Sequence, residues 1–307
     1  MCQFSARSNG ASCSIHPRRE GCLRMTEAGL VLIGIGMGAI DGMTVEAVQR
    51  MKDADFRFLE AYTAKWLDDD VRSLENLVGP IKPIMRPDVE NPGKILALAK
   101  NSVVAVLVIG DPLQATTHVD LQLQAREEGI ICHVVHGISI TTLVTGAVGL
   151  SNYRFGRQTT LTYPYGDWIV TSPLEVVALN RALNMHTLVL FDLDPTGSGT
   201  GNQKPMQPID AINSIRLMAD KLISTIEEIE VEDNLTALKI EGCKLLLSEI
   251  DSIKCVLCSD MGTSRQMINY GTLDELATAK EGGLHCMVIP AIESDVEKMA
   301  LSRWGKQ

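Results

Sequence analysis

Aromatic residues make up only 4% of this 307-residue chain, and its 28 Lys and Arg are outnumbered by 38 Asp and Glu. So few rings exclude a stacking platform for single-stranded nucleic acid. A net charge of −10, a pI near 5.1 and the absence of a basic cluster exclude a surface that grips phosphate backbones. No apolar run reaches the roughly 18 residues a helix needs to cross a bilayer, so no membrane association is expected. Cysteine is also sparse for a disulfide scaffold. Cys2, Cys13, Cys22, Cys132, Cys243, Cys255, Cys258 and Cys286 are scattered through a long chain, which fits a reducing cytoplasm. Cys255 and Cys258 have the spacing of a redox or zinc pair, but they sit in an apolar strand where an odd separation turns them to opposite faces. With no second ligand pair, no metal is expected.

What the chain does contain is core-forming sequence. An apolar fraction of 45% against 21% charged supports two domains with real hydrophobic cores. Residues 1–28 differ: Arg7, Arg18, Arg19 and Arg24 accompany three cysteines without any hydrophobic period, before the first strand begins. They read as a disordered tail or a misread upstream start with Met25 as the true beginning, a transit peptide being the alternative. From Leu30 onward strand and helix signals alternate. Strands are expected at Leu30–Ile33, Phe56–Leu59, Ile81–Met85, Val103–Ile109 and Ile130–Val135. Helices are expected at Val45–Lys52, Leu74–Val78, Gly93–Lys100 and His118–Glu128. A second set has strands at Thr159–Tyr163 and Thr187–Leu193 and near 253–258, 266–270 and 286–291. Its helices are Pro173–Leu183, Pro208–Glu228 and Leu235–Leu247, with a last one from Ser294. The reading is two α/β domains, 29–136 and 137–307, with a ligand cleft between them.

The strand Val103–Ile109 is apolar at every position, as in a parallel sheet buried on both faces, so its carboxyl end is a ligand edge. There Gly110 permits close backbone approach, Asp111 offers a carboxylate, and Thr117 with Asp120 has the spacing of a helix cap. An ordinary strand-to-helix turn has the same shape. Two glycine-rich segments need separating from it. Gly34-Ile35-Gly36-Met37-Gly38-Ala39, with Glu60 at ribose-binding distance in sequence, imitates a dinucleotide fingerprint. That motif opens a helix at its glycines, whereas here Asp41-Gly42-Met43 intervenes and Thr44 reads as the N-cap. The segment from Pro195 to Pro205 resembles a phosphate loop in composition alone, because Pro205 follows Lys204 where Ser or Thr is needed. Asp68-Asp69-Asp70 reads as a solvated loop, the alternative being a face for a basic partner surface.

Four segments together carry a resemblance: Ile33-Gly34-Ile35-Gly36-Met37, the Gly-Asp-Pro-Leu-Gln-Ala-Thr-Thr-His run at 110–118, His136-Gly137-Ile138-Ser139-Ile140, and Tyr163-Pro164-Tyr165-Gly166-Asp167-Trp168. The chain resembles the diphthine synthases over about residues 29–290. These enzymes have the two-domain tetrapyrrole-methylase fold with the cofactor in the cleft. The resemblance implies S-adenosylmethionine as methyl donor. The implied acceptor is the amino group of a 3-carboxy-3-aminopropyl chain on a histidine of translation elongation factor 2. It further implies a homodimer, and it places cofactor contacts at Met37, Asp111, Gln114, Ser139, Ile140, Phe191, Met261 and His285. An activated sulfonium methyl needs positioning more than a side-chain nucleophile, so no catalytic residue is assigned. His118 and Asp111 are candidates for taking the amine proton. Where family members carry Arg-Ala-Gly-Ser this chain has Asp260-Met261-Gly262-Thr263, and Pro290-Ala291-Ile292-Glu293-Ser294 replaces a Pro-Gly-x-Leu-His segment. Other functions open to the same scaffold are precorrin or uroporphyrinogen methylation and S-adenosylmethionine binding without turnover.

Overall fold

The computed structural model describes residues 27–38, 40–197, 203–279 and 282–305. Residues 1–26 of the expected tail, and part of the glycine-rich loop after Pro195, lie outside the described residues. The first half runs β1 (Gly29–Gly34), α1 (Val45–Asp53), β2 (Phe56–Glu60), α2 (Asp68–Val78), β3 (Lys82–Ile84), α3 (Arg86–Glu90), α4 (Gly93–Ala99), β4 (Val103–Val108), α5 (His118–Glu127) and β5 (Cys132–Val135). Its strands form a parallel sheet in the order β3-β2-β4-β1-β5. The unbroken apolar runs of β1 and β4 are buried along their whole length at its centre, because helices cover both faces. Leu30, Leu32, Val104 and Val106 pack toward Leu96 and Leu121, while Val31, Ile33, Ala105 and Leu107 pack toward Met51 and Leu74.

The second half contains α6 (Ile140–Ala147), β6 (Thr159–Leu161), α7 (Ser172–Ala182), β7 (Thr187–Phe191), α8 (Pro208–Thr225), α9 (Asn234–Glu249), β8 (Lys254–Ser259), β9 (Met267–Thr272), α10 (Leu273–Ala277), β10 (His285–Ile289) and α11 (Asp295–Ser302). Its sheet has the order β6-β7-β10-β8-β9 and is mixed: β6 and β7 run parallel, and the other pairs are antiparallel. Cys255 and Cys258 do face opposite ways, Cys255 into the core under α7–α9 and Cys258 into the cluster around Val144 and Leu301.

Several local expectations change. Asp68-Asp69-Asp70 forms the first turn of α2 instead of a loop, where three carboxylates meet the positive end of the helix dipole. Thr117 stands at the N-cap of α5, yet its side chain makes no capping bond, and Asp120 accepts from Gln124 Nε2 at 2.6 Å. Helix α6 is absent from the sequence reading because Thr141, Thr142, Thr145 and Gly146 are poor helix formers. It is held by the Ser139 cap and the burial of Val144.

One close approach shapes the edge of the first sheet. A Cβ on Gly34 would lie 2.6 Å from the Gly110 carbonyl oxygen and 2.6 Å from the Gly137 nitrogen, and a Cβ on Gly137 would lie 2.3 Å from that same oxygen. Only glycine fits where β1, β4 and β5 end. Gly137→Ala is therefore expected to lower stability by about 2–3 kcal/mol, since backbone must shift to admit the methyl, and a thermal midpoint measurement checks it.

Glu297, 4% exposed, pins α11 to the second domain. Its carboxylate accepts from Ser294 N at 2.8 Å, Ser151 N at 3.0 Å, Arg154 Nη1 at 2.5 Å and His186 Nε2 at 3.1 Å. The Ala291 N–H donates to His186 Nδ1 at 3.0 Å, which leaves the imidazole proton on Nε2. Burial pushes the Glu297 pKa up, but the Ser294 and Ser151 N–H groups and His186 outweigh it and hold it at about 2. Burial lowers the pKa of His186, with Glu297 pulling the other way. A depressed carboxyl pKa gives stability that is complete above the unfolded value of 4.5 and is lost as pH falls toward 2, about 3 kcal/mol in all. Neutral His186 adds loss in the same direction once pH drops below its ordinary 6.5. Urea midpoints of the wild type should therefore fall between pH 7 and pH 3 more steeply than those of Glu297→Gln, which should be about 3 kcal/mol less stable at pH 7.

Candidate functional site

The carboxyl ends of β1 and β4 and one edge of the second sheet enclose a cavity of about 310 Å³, inside the range of roughly 300–1,000 Å³ usual for small-molecule sites. Seven of the eight residues assigned by resemblance line it: Met37, Gln114, Ser139, Ile140, Phe191, Met261 and His285. Met37 lies in the turn after β1, between Gly36 and Gly38, both with positive φ (71° and 112°). Gln114 comes from the β4–α5 loop, and its Oε1 accepts from Thr141 Oγ1. Ser139 is the N-cap of α6, its Oγ accepting from Thr141 N at 3.3 Å, and Ile140 opens that helix. From the second sheet come Phe191 at the end of β7, Met261 just after β8 and His285 at the start of β10. The two halves touch here: a Cβ on Gly262 would lie 2.6 Å from the Met37 Cβ.

Asp111 is the exception, for it stands behind the wall. Buried at 4% exposure, it accepts from Leu113 N at 2.9 Å, His136 Nδ1 at 2.8 Å and Gly137 N at 3.3 Å. Its carboxylate ties the end of β4 to the end of β5. His118 is fully buried, with Nδ1 against the Pro112 carbonyl at 3.1 Å and Thr116 Oγ1 at 2.9 Å, and burial lowers its pKa. Neither of these proton-acceptor candidates lines the cavity.

The dinucleotide reading fails on geometry. A short 3₁₀ turn at Ile40–Gly42 separates the glycines from α1, whose N-terminus is capped by Thr44 Oγ1 accepting from Ala47 N at 3.0 Å. Glu60 is 1% exposed, accepting from Tyr62 N at 2.7 Å and Thr63 N at 2.8 Å, with Thr63 Oγ1 on its other oxygen. It anchors the loop between β2 and α2, which carries Lys65 and Trp66 to the cavity wall. Sequence reasoning missed this wall, because the loop has neither period nor motif. A scarce tryptophan just past a strand's carboxyl end was the available signal. Arg265 also lines the cavity, its Nε 3.5 Å from Asp260 Oδ2, so a basic group stands near the position where Asp260 replaces the family's arginine.

Among the described residues, two buried polar atoms of the wall have no hydrogen-bond partner, Trp66 Nε1 and His285 Nε2. Each such orphan costs about 1–3 kcal/mol until a partner arrives. His285 Nδ1 lies 2.8 Å from Ser259 Oγ, and burial lowers its pKa against the pull of Asp260 and the Gly282 carbonyl, so the ring is neutral near pH 7. Apolar Phe191, Met206 and Met261 share the wall with the carboxylates of Asp70, Asp192 and Asp260. That lining suits a cationic ligand with a flat apolar body and hydrogen-bonding edges, a description that S-adenosylmethionine meets. No cluster of side chains able to hold a metal occurs among the described residues.

A family model described as Tetrapyrrole (Corrin/Porphyrin) Methylases matches residues 29–197. A diphthine synthase of Methanocella arvoryzae is 31% identical over 276 residues, covering 89% of this chain and 96% of its own length. One from Methanospirillum hungatei is 29% identical over 280 residues, covering 90% and 98%. A crystal structure of diphthine synthase superposes with a TM-score of 0.73 at 25% identity, over 90% of this chain and 95% of that one. Similarity along nearly the whole length, a fold that superposes over 90% of the chain and the matching family model lead to one conclusion: the chain belongs to the diphthine synthase family of the tetrapyrrole methylases and is a methyltransferase of that S-adenosylmethionine-dependent type.

Proposed function

We propose that the chain moves methyl groups from S-adenosylmethionine, held in the cleft, to the amino group of the 3-carboxy-3-aminopropyl-histidine of translation elongation factor 2, giving diphthine. One observation carries this reading: seven residues that are spread over the sequence from Met37 to His285 meet at a single cavity. When bound, the donor supplies an already activated sulfonium methyl. The protein's own work is placement. Phe191, Met261 and Met37 form apolar walls, Ser139 and Gln114 present polar groups near the start of α6, and neutral His285 offers Nε2. Asp111 acts one step removed, by fixing Gly137 and His136 where the wall turns. Holding two reactants in line supplies much of the rate without a dedicated nucleophile. The reading carries with it a homodimer and a cytoplasmic location. It is supported by the free state of the described cysteines Cys132, Cys243, Cys255, Cys258 and Cys286. Among the described residues, no helix is long and apolar enough to cross a membrane.

Incubating the chain with labelled S-adenosylmethionine and elongation factor bearing the precursor should place label on the modified histidine, and mass spectrometry of the factor reads the number of methyl groups. Label appearing in a precorrin instead, or donor binding without turnover on the factor, would overturn the proposal. His285→Ala should raise the KM for S-adenosylmethionine by roughly tenfold, the loss of about one hydrogen bond and its packing, with a smaller change in kcat.

A further inference from the structure

We propose that Trp66 and Lys65 form a carboxylate subsite on the cleft wall, serving the amino-acid end of one of the two reactants. The inference rests on the methyl-transfer reading and adds residues that neither the resemblance nor the sequence motifs point to. Trp66 is 5% exposed, lines the cavity, and has an indole N–H without an acceptor. An indole nitrogen donates and cannot accept, so an amine or a sulfonium is no partner for it. Gly38 lies beside that nitrogen, where an added Cβ would stand 3.5 Å from Nε1, at contact distance. The positive φ of Gly38, +112°, discourages any larger residue there. Lys65 is the next residue along the same wall. Among the described residues it has no ion-pair partner, whereas Arg265 across the cleft is occupied by Asp260.

The placement is firm because Glu60, buried beneath, spends both carboxylate oxygens on the loop that carries these residues. A fixed neutral donor and, one residue earlier on the same wall, an unpaired cation match an anionic acceptor, and a charge-assisted bond is the stronger kind. Both reactants present such a group next to an amine: the methionyl end of the donor, and the aminopropyl chain of the acceptor. Asp70, which lines the same cavity, provides the opposite charge for the accompanying amine when it is protonated.

Trp66→Phe removes the N–H while keeping a ring, and Lys65→Met removes the charge at an exposed position that leaves folding intact. The full chain and both variants are titrated by calorimetry with S-adenosylhomocysteine and with 5′-methylthioadenosine, which lacks the amino-acid end. Their kinetics are then measured with the precursor-bearing elongation factor. If the subsite holds the donor, each variant binds S-adenosylhomocysteine roughly tenfold more weakly and methylthioadenosine equally well. If it holds the acceptor, binding of both nucleosides is unchanged and the KM for the factor rises by roughly tenfold, with Lys65→Arg restoring most of it. Affinities and KM equal to wild type in both variants overturn the proposal, as does equal weakening of both nucleosides by Trp66→Phe, which marks a packing effect. A wild-type chain that binds no S-adenosylhomocysteine defeats the proposed function itself, and the subsite with it.

Discussion

The meeting of three backbones at Gly34, Gly110 and Gly137 is the constraint on which the rest of the cleft depends. A side chain at Gly34 or Gly137 would collide with main-chain atoms of its neighbours, so the ends of β1, β4 and β5 come closer than any alanine permits. The strands are parallel, and their carboxyl ends therefore share one edge. Three loops leave that edge together and reach Met37, Gln114 and Ser139. The pairing of Gly110 N with Gly36 O at 2.8 Å and of Gly36 N with Gly110 O at 3.3 Å locks two of them. Asp111 locks the third by accepting from the Gly137 N–H. A buried carboxylate in this place is structural wiring for the wall, which explains why it need not touch a ligand to matter.

The second sheet arrives at the cavity by different means. Because β7 and β10 are antiparallel with Leu190 opposite Cys286, the end of β7 at Phe191 lies beside the start of β10 at His285. On the other side, His285 pairs with Ser259 at the end of β8, and Met261 follows two residues later. Antiparallel pairing thus folds three distant stretches onto one edge, as parallel pairing does in the first sheet. A mixed topology is consistent with the ligand edge, since what matters is which strand ends are brought together.

Much of this was legible in the sequence, and the parts that were not share a cause. Strand β4 announces itself because Val103–Val108 is apolar on both faces, and α1 because Thr44 is followed by an amphipathic run. Helix α6 is hidden because its threonines favour other conformations, and its stability comes from the Ser139 cap and contacts such as Val144 that no local window contains. The acidic start of α2 looked like solvent-facing charge, whereas its position at a helix N-terminus decides its conformation. In the cleft, motif-bearing residues could be carried over by number, yet Asp111 and its neighbours differ in role according to which way a carboxylate turns. Trp66 belongs to no motif at all. Its importance lies in a missing partner, a property of three-dimensional surroundings.

Missing partners alone do not mark a site in this molecule. Among the described residues, His118 Nε2, Arg50 Nη1 and Thr162 Oγ1 are also buried without hydrogen bonds, and none of these residues lines the cavity. What distinguishes Trp66 and His285 is that an orphaned atom, a place on the cavity wall and a rigid support coincide. Trp66 is a donor only, held by a loop that Glu60 fastens. His285 Nε2 is different, because its Nδ1 faces the Ser259 hydroxyl, which can either donate or accept. The Gly282 carbonyl also accepts from this ring, so the imidazole proton already has a partner within the protein. One wall residue therefore offers a donor that calls for an acceptor atom, while the other presents a neutral imidazole edge. That combination gives orientation through the rigid donor and an uncharged contact through the histidine, which suits a pocket that must grip one molecule before the methyl leaves and a differently charged one afterwards.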